Sequence, residues 1–182
     1  MARHAALLRG INVGSHNRLK MADLRAAMQA LGFDDAETLL QSGNVVYTST
    51  GKPAVEETAI RKRLAADAGL EVDVMVRTHR QLASVVANDP LRKWADEHKH
   101  YHVVFLSAKP AAAKLKQIDG DRYLPERFAA SGREIYAWWP NGAQRAKLTH
   151  SFFEKQLGVR ATARNWNTVA KLADLTASSR AS

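Results

Sequence analysis

SGNVVY, residues 42–47, returns as SGREIY at residues 131–136, with serine, glycine and tyrosine at the same spacing. A second pair reinforces it. VRTHRQLASV (76–85) and ARNWNTVAKL (163–172) both lead from an arginine at the end of an apolar alternation, Arg77 or Arg164, into a helical pattern. Self-similarity of this kind is the mark of a chain built from repeated structural units.

Working outward from these pairs, the first half gives a strand over 5–9 and a Gly/Asn loop to Lys20. A helix follows from Met21, with Leu24, Met28 and Leu31 on one face. Strands over 38–41 and 44–48 flank Ser42-Gly43. Pro53 opens a second helix that runs through Ile60, Leu64 and Ala68 to Gly69, a favoured stop. The alternation Val72, Val74, Val76 reads as a strand, and a helix begins at Thr78. The second half repeats the order: a strand over 102–107, a helix after Pro110, and a segment 123–130 leading through Ser131-Gly132 into a strand over 134–139. Then come a helix carrying Leu148, Phe152 and Leu157 as far as Gly158, a strand over 159–163 and a last helix.

Each half therefore reads β-α-β-β-α-β with a trailing helix. The expected fold class is α+β: two tandem ferredoxin-like halves related by internal duplication and packed as one compact unit. The halves are 1–99 and 100–182, divided at the polar stretch KWADEHKH (93–100), and the tail TASSRAS (176–182) is expected to fray.

Composition narrows the function. The chain has no cysteine, which removes disulfides, thiolate metal sites and cysteine nucleophiles. No apolar run approaches the roughly 20 residues that span a bilayer, and the apolar core of MARHAALLRGIN is too short for a signal peptide. The expectation is a cytoplasmic protein with no membrane partner. Net charge is +9 and unevenly placed, with 14 basic and 12 acidic residues in 1–99 against 13 and 6 in 100–182. A basic half attracts nucleic acid or anionic metabolites, although a solvated basic surface gives the same count.

Four stretches are candidates for chemistry. In ATARNWNTVAKL (161–172), Asn165 stands where Thr78 stands in the first half. Thr78-x-x-Gln81 is a capping-box pattern, so Asn165 reads as an N-cap as readily as a ligand contact. Trp166 shares a helical face with Val169 and Ala173, which favours packing. Arg164 and Asn167 stay unexplained by capping. If Val159, Ala161 and Ala163 face the helices, Arg164 points to the opposite, open side of the sheet, placed for a phosphate or an inter-half ion pair. In LLRGINVGSHNRLKM (7–21), Arg9, Gly10, Asn12 and Asn17 form either an anion-holding loop or a self-bonded structural one, and neither a Walker loop nor a dinucleotide fingerprint matches. In WWPNGAQRAKLT (138–149), Arg145 and Lys147 fall near an expected helix start, where cations are disfavoured unless an anion or acid offsets them. HKHYH (98–102) offers three histidines at alternate positions, which a strand would set on one face, but the stretch reads more readily as a polar linker entering a strand. No partner at metal-ligand spacing accompanies them, so no metal or other cofactor is expected. Tyr47, Tyr136 and Trp138 lie on central strands, where open-face aromatics stack bases in RNA-recognition modules, but no RNP-type run is present. Catalytic signatures such as Gly-x-Ser-x-Gly and His-Glu-x-x-His are absent, so no catalytic residue is named.

LRGINVG (8–14), LQSGNVVY (40–47), the Asn-Gly…Arg-x-Lys-Leu-Thr segment (141–149) and ATARNWNTVAKL (161–172) together resemble the bacterial "domain of unknown function 1697" family. The resemblance implies the duplicated α+β architecture and no particular activity. It maps shared polar positions onto Arg9, Gly10, Asn12, Gly14, Asn17, Gln41, Ser42, Asn44, Lys147, Thr162, Arg164, Asn165 and Asn167. Ser15 replaces a usual glycine and Ala146 a common serine. The functional expectation is a non-enzymatic binding protein for a phosphate-bearing ligand, nucleic acid or a small molecule, held by Arg9, Gly10, Asn12, Asn17, Arg145, Lys147, Arg164, Asn165 and Asn167. The alternative is an enzyme or sensor for a small anionic metabolite bound between the halves.

Overall fold

Ala5, Ala6, Leu7 and Leu8 are all fully buried, and a strand buried on both faces belongs in the middle of a covered sheet. In the computed structural model, which describes residues 1–177, these residues lie in β1 (Ala2–Leu8). The first half continues with α1 (Met21–Gln29), β2 (Glu37–Leu39), β3 (Asn44–Ser49), α2 (Pro53–Ala68), β4 (Val74–Thr78) and α3 (His79–Ala87). The second has β5 (Tyr101–Leu106), α4 (Ala112–Lys116), β6 (Arg127–Ser131), β7 (Glu134–Trp138), α5 (His150–Leu157), β8 (Ala161–Asn165) and α6 (Trp166–Ala177). The strands form two four-stranded antiparallel sheets, ordered β2-β3-β1-β4 and β6-β7-β5-β8. The fold is therefore mixed α and β. The chain groups into two compact units, one of Met1–Ala83 with the chain from Lys171 onward, the other Ser84–Ala170.

In the first unit, Ala6, Leu8, Val45, Tyr47, Val74 and Val76 form a core with Leu24 and Met28 of α1 and Ile60 and Leu64 of α2. In the second, Val104, Leu106, Ile135, Ala137 and Ala161 do so with Phe153 and Leu157 of α5. Helix ends obey local chemistry. Thr78 N donates to Gln81 Oε1 (2.9 Å) and Gln81 N to Thr78 Oγ1 (3.3 Å), the expected capping box. Gly69 and Gly158 end α2 and α5 in the left-handed conformation.

Three expectations are corrected. The motif pair Ser-Gly-x-x-x-Tyr is out of register in space. The first hairpin pairs Leu39 with Asn44 and leaves four residues in its loop, whereas the second pairs Ser131 with Glu134 and leaves two. A one-residue offset on a strand reverses faces, so Tyr47 lies in the helix-side core while Tyr136 points away from Ile135 and Ala137. Secondly, the faces opposite the helices are not open. Met75 and Arg77 in the first sheet, and Tyr101, Val103, Tyr136, Trp138, Thr162 and Arg164 in the second, are all buried, which leaves no aromatic face for base stacking there. Thirdly, α5 starts at His150 behind an N-cap Thr149, so Arg145 and Lys147 sit in the preceding loop. The HKHYH stretch is a polar linker entering a strand, as expected: His98–His100 form a 3-10 turn and, of its histidines, only His102 lies in β5. Of the tail, Thr176 and Ala177 close α6 and Thr176 is buried; residues 178–182 lie outside the described residues. Among the described residues no helix is long and apolar enough to cross a membrane.

Candidate functional site

The loop after β1 is built by its asparagines. Gly10, Asn12, Gly14 and Asn17 all have positive φ, a conformation that asparagine tolerates better than other side chains. Asn12 Nδ2 donates to Leu19 O (2.9 Å) and Gln41 O (2.8 Å), and its Oδ1 accepts from Leu19 N (2.9 Å). Asn17 Nδ2 donates to Gly10 O at 3.2 Å and Asn12 N to Asn17 O at 3.1 Å. The loop is thus closed on itself and tied to the β2–β3 hairpin, as the structural reading of this stretch expects.

That tie walls an open cleft of about 470 Å³, lined by Asn12, Arg18, Leu19, Lys20, Met21, Asp23 and Gln41. It lies at the start of α1, whose N-cap Lys20 makes no side-chain capping bond. The first-turn N–H groups of a helix have no intrahelical acceptor and carry the positive end of its dipole. Arg18 and Lys20 are exposed and add two cations against the one carboxylate of Asp23. Leu40, beside Gln41 in the hairpin, has φ 59 and is 60% exposed. A branched apolar residue in that region is strained by about 1–2 kcal/mol.

The remaining expected site residues fall into two groups. Asn165 is used by the chain: Nδ2 donates to His98 O and Lys99 O, both at 3.0 Å, and Oδ1 caps α6 by accepting from Asn167 N at 3.0 Å. Trp166 stacks on Tyr101, centroids 4.6 Å apart, as packing requires. Arg164 is buried and donates to Thr162 Oγ1 (2.7 Å) and Ala163 O (2.9 Å). Desolvation lowers its pKa to about 10, so it is still a cation at neutral pH. Arg9 is half-buried. Asn167, Arg145 and Lys147 are exposed. The acid that offsets the 141–149 loop is internal: buried Glu126 accepts from Lys147 N (2.9 and 3.0 Å) and Leu148 N (2.9 Å). Those amides are therefore occupied, and only the side chains of Arg145 and Lys147 face solvent.

Sequence reasoning missed a buried polar cluster in the first unit. Glu56, on the first turn of α2, accepts from His4 Nδ1 (2.8 Å), Tyr47 OH (2.8 Å) and Ser49 Oγ. Burial would raise the Glu56 pKa, but the three donors outweigh it and hold the carboxyl below its usual value. Burial and the adjacent Glu56 push the Tyr47 phenol up. Only the cross-strand register of His4 with Tyr47 brings these residues together, and no linear motif signals it. In the second unit His102 stacks on Trp139 (4.0 Å), and burial lowers its pKa to about 4. Among the described residues no group of His, Asp and Glu is arranged to hold a metal ion.

No curated protein matches the chain. Among solved structures, the conserved bacterial protein SP0830 from Streptococcus pneumoniae is similar with a TM-score of 0.71 at 21% identity, covering 96% of this chain and 98% of that one. At that identity the likeness speaks to the fold. A family model described as "Protein of unknown function (DUF1697)" matches residues 1–136. That range contains the cleft, the LRGINVG loop and the LQSGNVVY hairpin that walls it, and stops short of the 161–172 motif. By this match over most of its length, the chain belongs to the DUF1697 family.

Proposed function

We propose that the protein is a non-enzymatic binding protein for a small phosphate-bearing ligand, seated in the cleft at the start of α1. One observation carries the reading: a cleft of about 470 Å³ in which Arg18 and Lys20 flank a helix start that no side chain caps. Small-molecule sites commonly occupy ~300–1,000 Å³, and a helix N-terminus flanked by cations suits a phosphate. Gln41 adds a neutral amide. Arg9, Gly10, Asn12 and Asn17 act mainly by holding the loop's shape. The lining has no hydroxyl, thiol or imidazole, which favours binding over catalysis.

Calorimetric titration and thermal shift with inorganic phosphate, pyrophosphate and sugar phosphates test this. Ligand at about 100 times its dissociation constant stabilises by roughly 2.7 kcal/mol, and the Arg18→Ala/Lys20→Ala double variant is expected to abolish the shift. A shift of the same size in the double variant, or none with any phosphate compound, overturns the reading.

We also infer that the halves 1–99 and 100–182 are ferredoxin-like units related by internal duplication. Support comes from the shared strand order and from matching edges: Arg9 N donates to Asp73 O as Ser107 N donates to Arg160 O. A cytoplasmic setting fits a chain without cysteine.

A further inference from the structure

We propose that Trp94 and the cations around it form a contact surface for single-stranded nucleic acid, on the second compact unit and sharing no residue with the cleft. The chain has four tryptophans. Trp138, Trp139 and Trp166 are buried, whereas Trp94 is 38% exposed. The Arg127 guanidinium lies over its ring at 4.6 Å from the centroid, and Lys93 Nζ is at 5.7 Å. Trp94 is not on a loose segment. Trp94 N donates to Leu91 O (2.8 Å) and Ala95 N to the same oxygen (2.9 Å), while Leu91 and Ala95 are buried. The turn is anchored on both sides, so the indole is presented rather than collapsed.

The charge around it is mostly basic: of the neighbouring acids, Glu97 pairs with Lys99 at 2.7 Å and Asp96 is exposed. Arg92 and Lys93 adjoin Trp94 and are exposed. Arg127 begins β6, the edge strand of its sheet. Glu126, one residue before it, is bonded to the backbone of Lys147, which ties the loop bearing exposed Arg145 and Lys147 to the same end of β6. None of these five cations forms a salt bridge among the described residues. An exposed indole flanked by cations that form no ion pair suits a base stacked on its π-face in place of the cation now over it, with phosphates held by the cations. A duplex offers no free base face to an indole on a turn, which is why the strand is single.

The test is fluorescence anisotropy of labelled homopolymer RNA and DNA strands, a duplex and vesicles containing phosphatidylserine, each at two salt concentrations. Single strands are expected to bind with a marked salt dependence. Trp94→Ala is expected to weaken that binding about tenfold through loss of one base–aromatic stack, with Trp94→Phe retaining most of it. Arg127→Gln is expected to lower the salt slope by about one. RNA and DNA binding alike points to stacking and phosphate contacts alone; RNA preference adds a 2′-hydroxyl contact. The proposal is overturned if Trp94→Phe and Trp94→Ala both bind like the unaltered protein, or if duplex or vesicles bind as tightly as single strands. Crosslinking of a 4-thiouridine strand to the unaltered protein gives a readout that does not depend on a variant folding: attachment within 92–94 supports the surface, and attachment elsewhere alone refutes it. Loss of phosphate stabilisation at the cleft is a separate result and leaves this one standing.

Discussion

Two buried side chains make opposite uses of burial. At Glu56 three donors hold the charged form, so the group stabilises the fold above the ordinary carboxylate pKa and loses that contribution as pH falls through its lowered value. Replacing it strands His4, Tyr47 and Ser49. Glu56→Gln is expected to cost about 2 kcal/mol in urea denaturation at pH 7, and Glu56→Ala more, because buried donors to a charged acceptor lose ~1.5–3 kcal/mol when it goes. At His102 burial disfavours the charged form instead, and outweighs the backbone hydrogen bond at His100 that favours it. The unfolded chain takes up its proton near pH 6.5 while the folded chain waits until about 4. Stability from this group is therefore complete above pH 6.5 and drains away as pH drops toward 4, by roughly 2–3 kcal/mol at the acid end. His102→Phe, which keeps a ring against Trp139, is expected to flatten that stretch of the stability–pH curve. An unchanged slope in the variant would assign the acid loss elsewhere.

At the scale of elements, the ends and loops carry the specificity. Asn165 joins two of them: its Oδ1 caps α6 and its amide nitrogen holds the carbonyls of the 98–101 turn. Asn165→Asp keeps the cap and removes the donors, whereas Asn165→Ala removes both. The alanine variant is expected to lose about 2 kcal/mol and the aspartate variant a smaller part of it, since the cap alone is worth ~1 kcal/mol. Equal losses would mean that the turn anchor dominates. At the β2–β3 hairpin Gly43 has φ 78, and a Cβ there would meet Ile11 Cδ1 at 2.8 Å and Leu8 Cβ at 2.9 Å. Gly43→Ala should therefore destabilise markedly, while Leu40→Asn, which relieves a strained φ, should stabilise by up to ~1 kcal/mol. This hairpin also marks the limit of what the sequence discloses. The strand and helix order, the Thr78–Gln81 box and the Asn165 cap are local chemistry, written in neighbouring residues. Loop length set against strand pairing is not local, so SGNVVY and SGREIY look equivalent yet present their tyrosines to opposite faces. The Glu56 cluster and the Trp94–Arg127 contact are equally non-local, each assembled from residues far apart in the chain.

At the scale of the whole molecule, the order of elements and the grouping of the chain in space are different things. The order repeats across 1–99 and 100–182, but the first compact unit includes the chain from Lys171 onward and the second begins at Ser84, inside α3. The returning segment is no loose appendage. Leu172, Ala173 and Thr176 are buried, and Thr176 Oγ1 lies 3.3 Å from His79 Nδ1. A first half cut at residue 99 lacks that segment and keeps part of α3 without the strands it is grouped with. A chain of this size buries roughly 60–70% of its surface, so a segment missing from its core takes a large share of its stability. Residues 1–99 expressed alone are therefore expected to show no cooperative urea transition and broad, poorly dispersed amide resonances. A chain joining residues 1–87 to 166–182 through a flexible Gly/Ser linker restores the missing helix and should regain a sharp transition. Should 1–99 unfold cooperatively by itself, the terminal helix is dispensable to the first sheet, and the sequence repeat is then also the unit of folding.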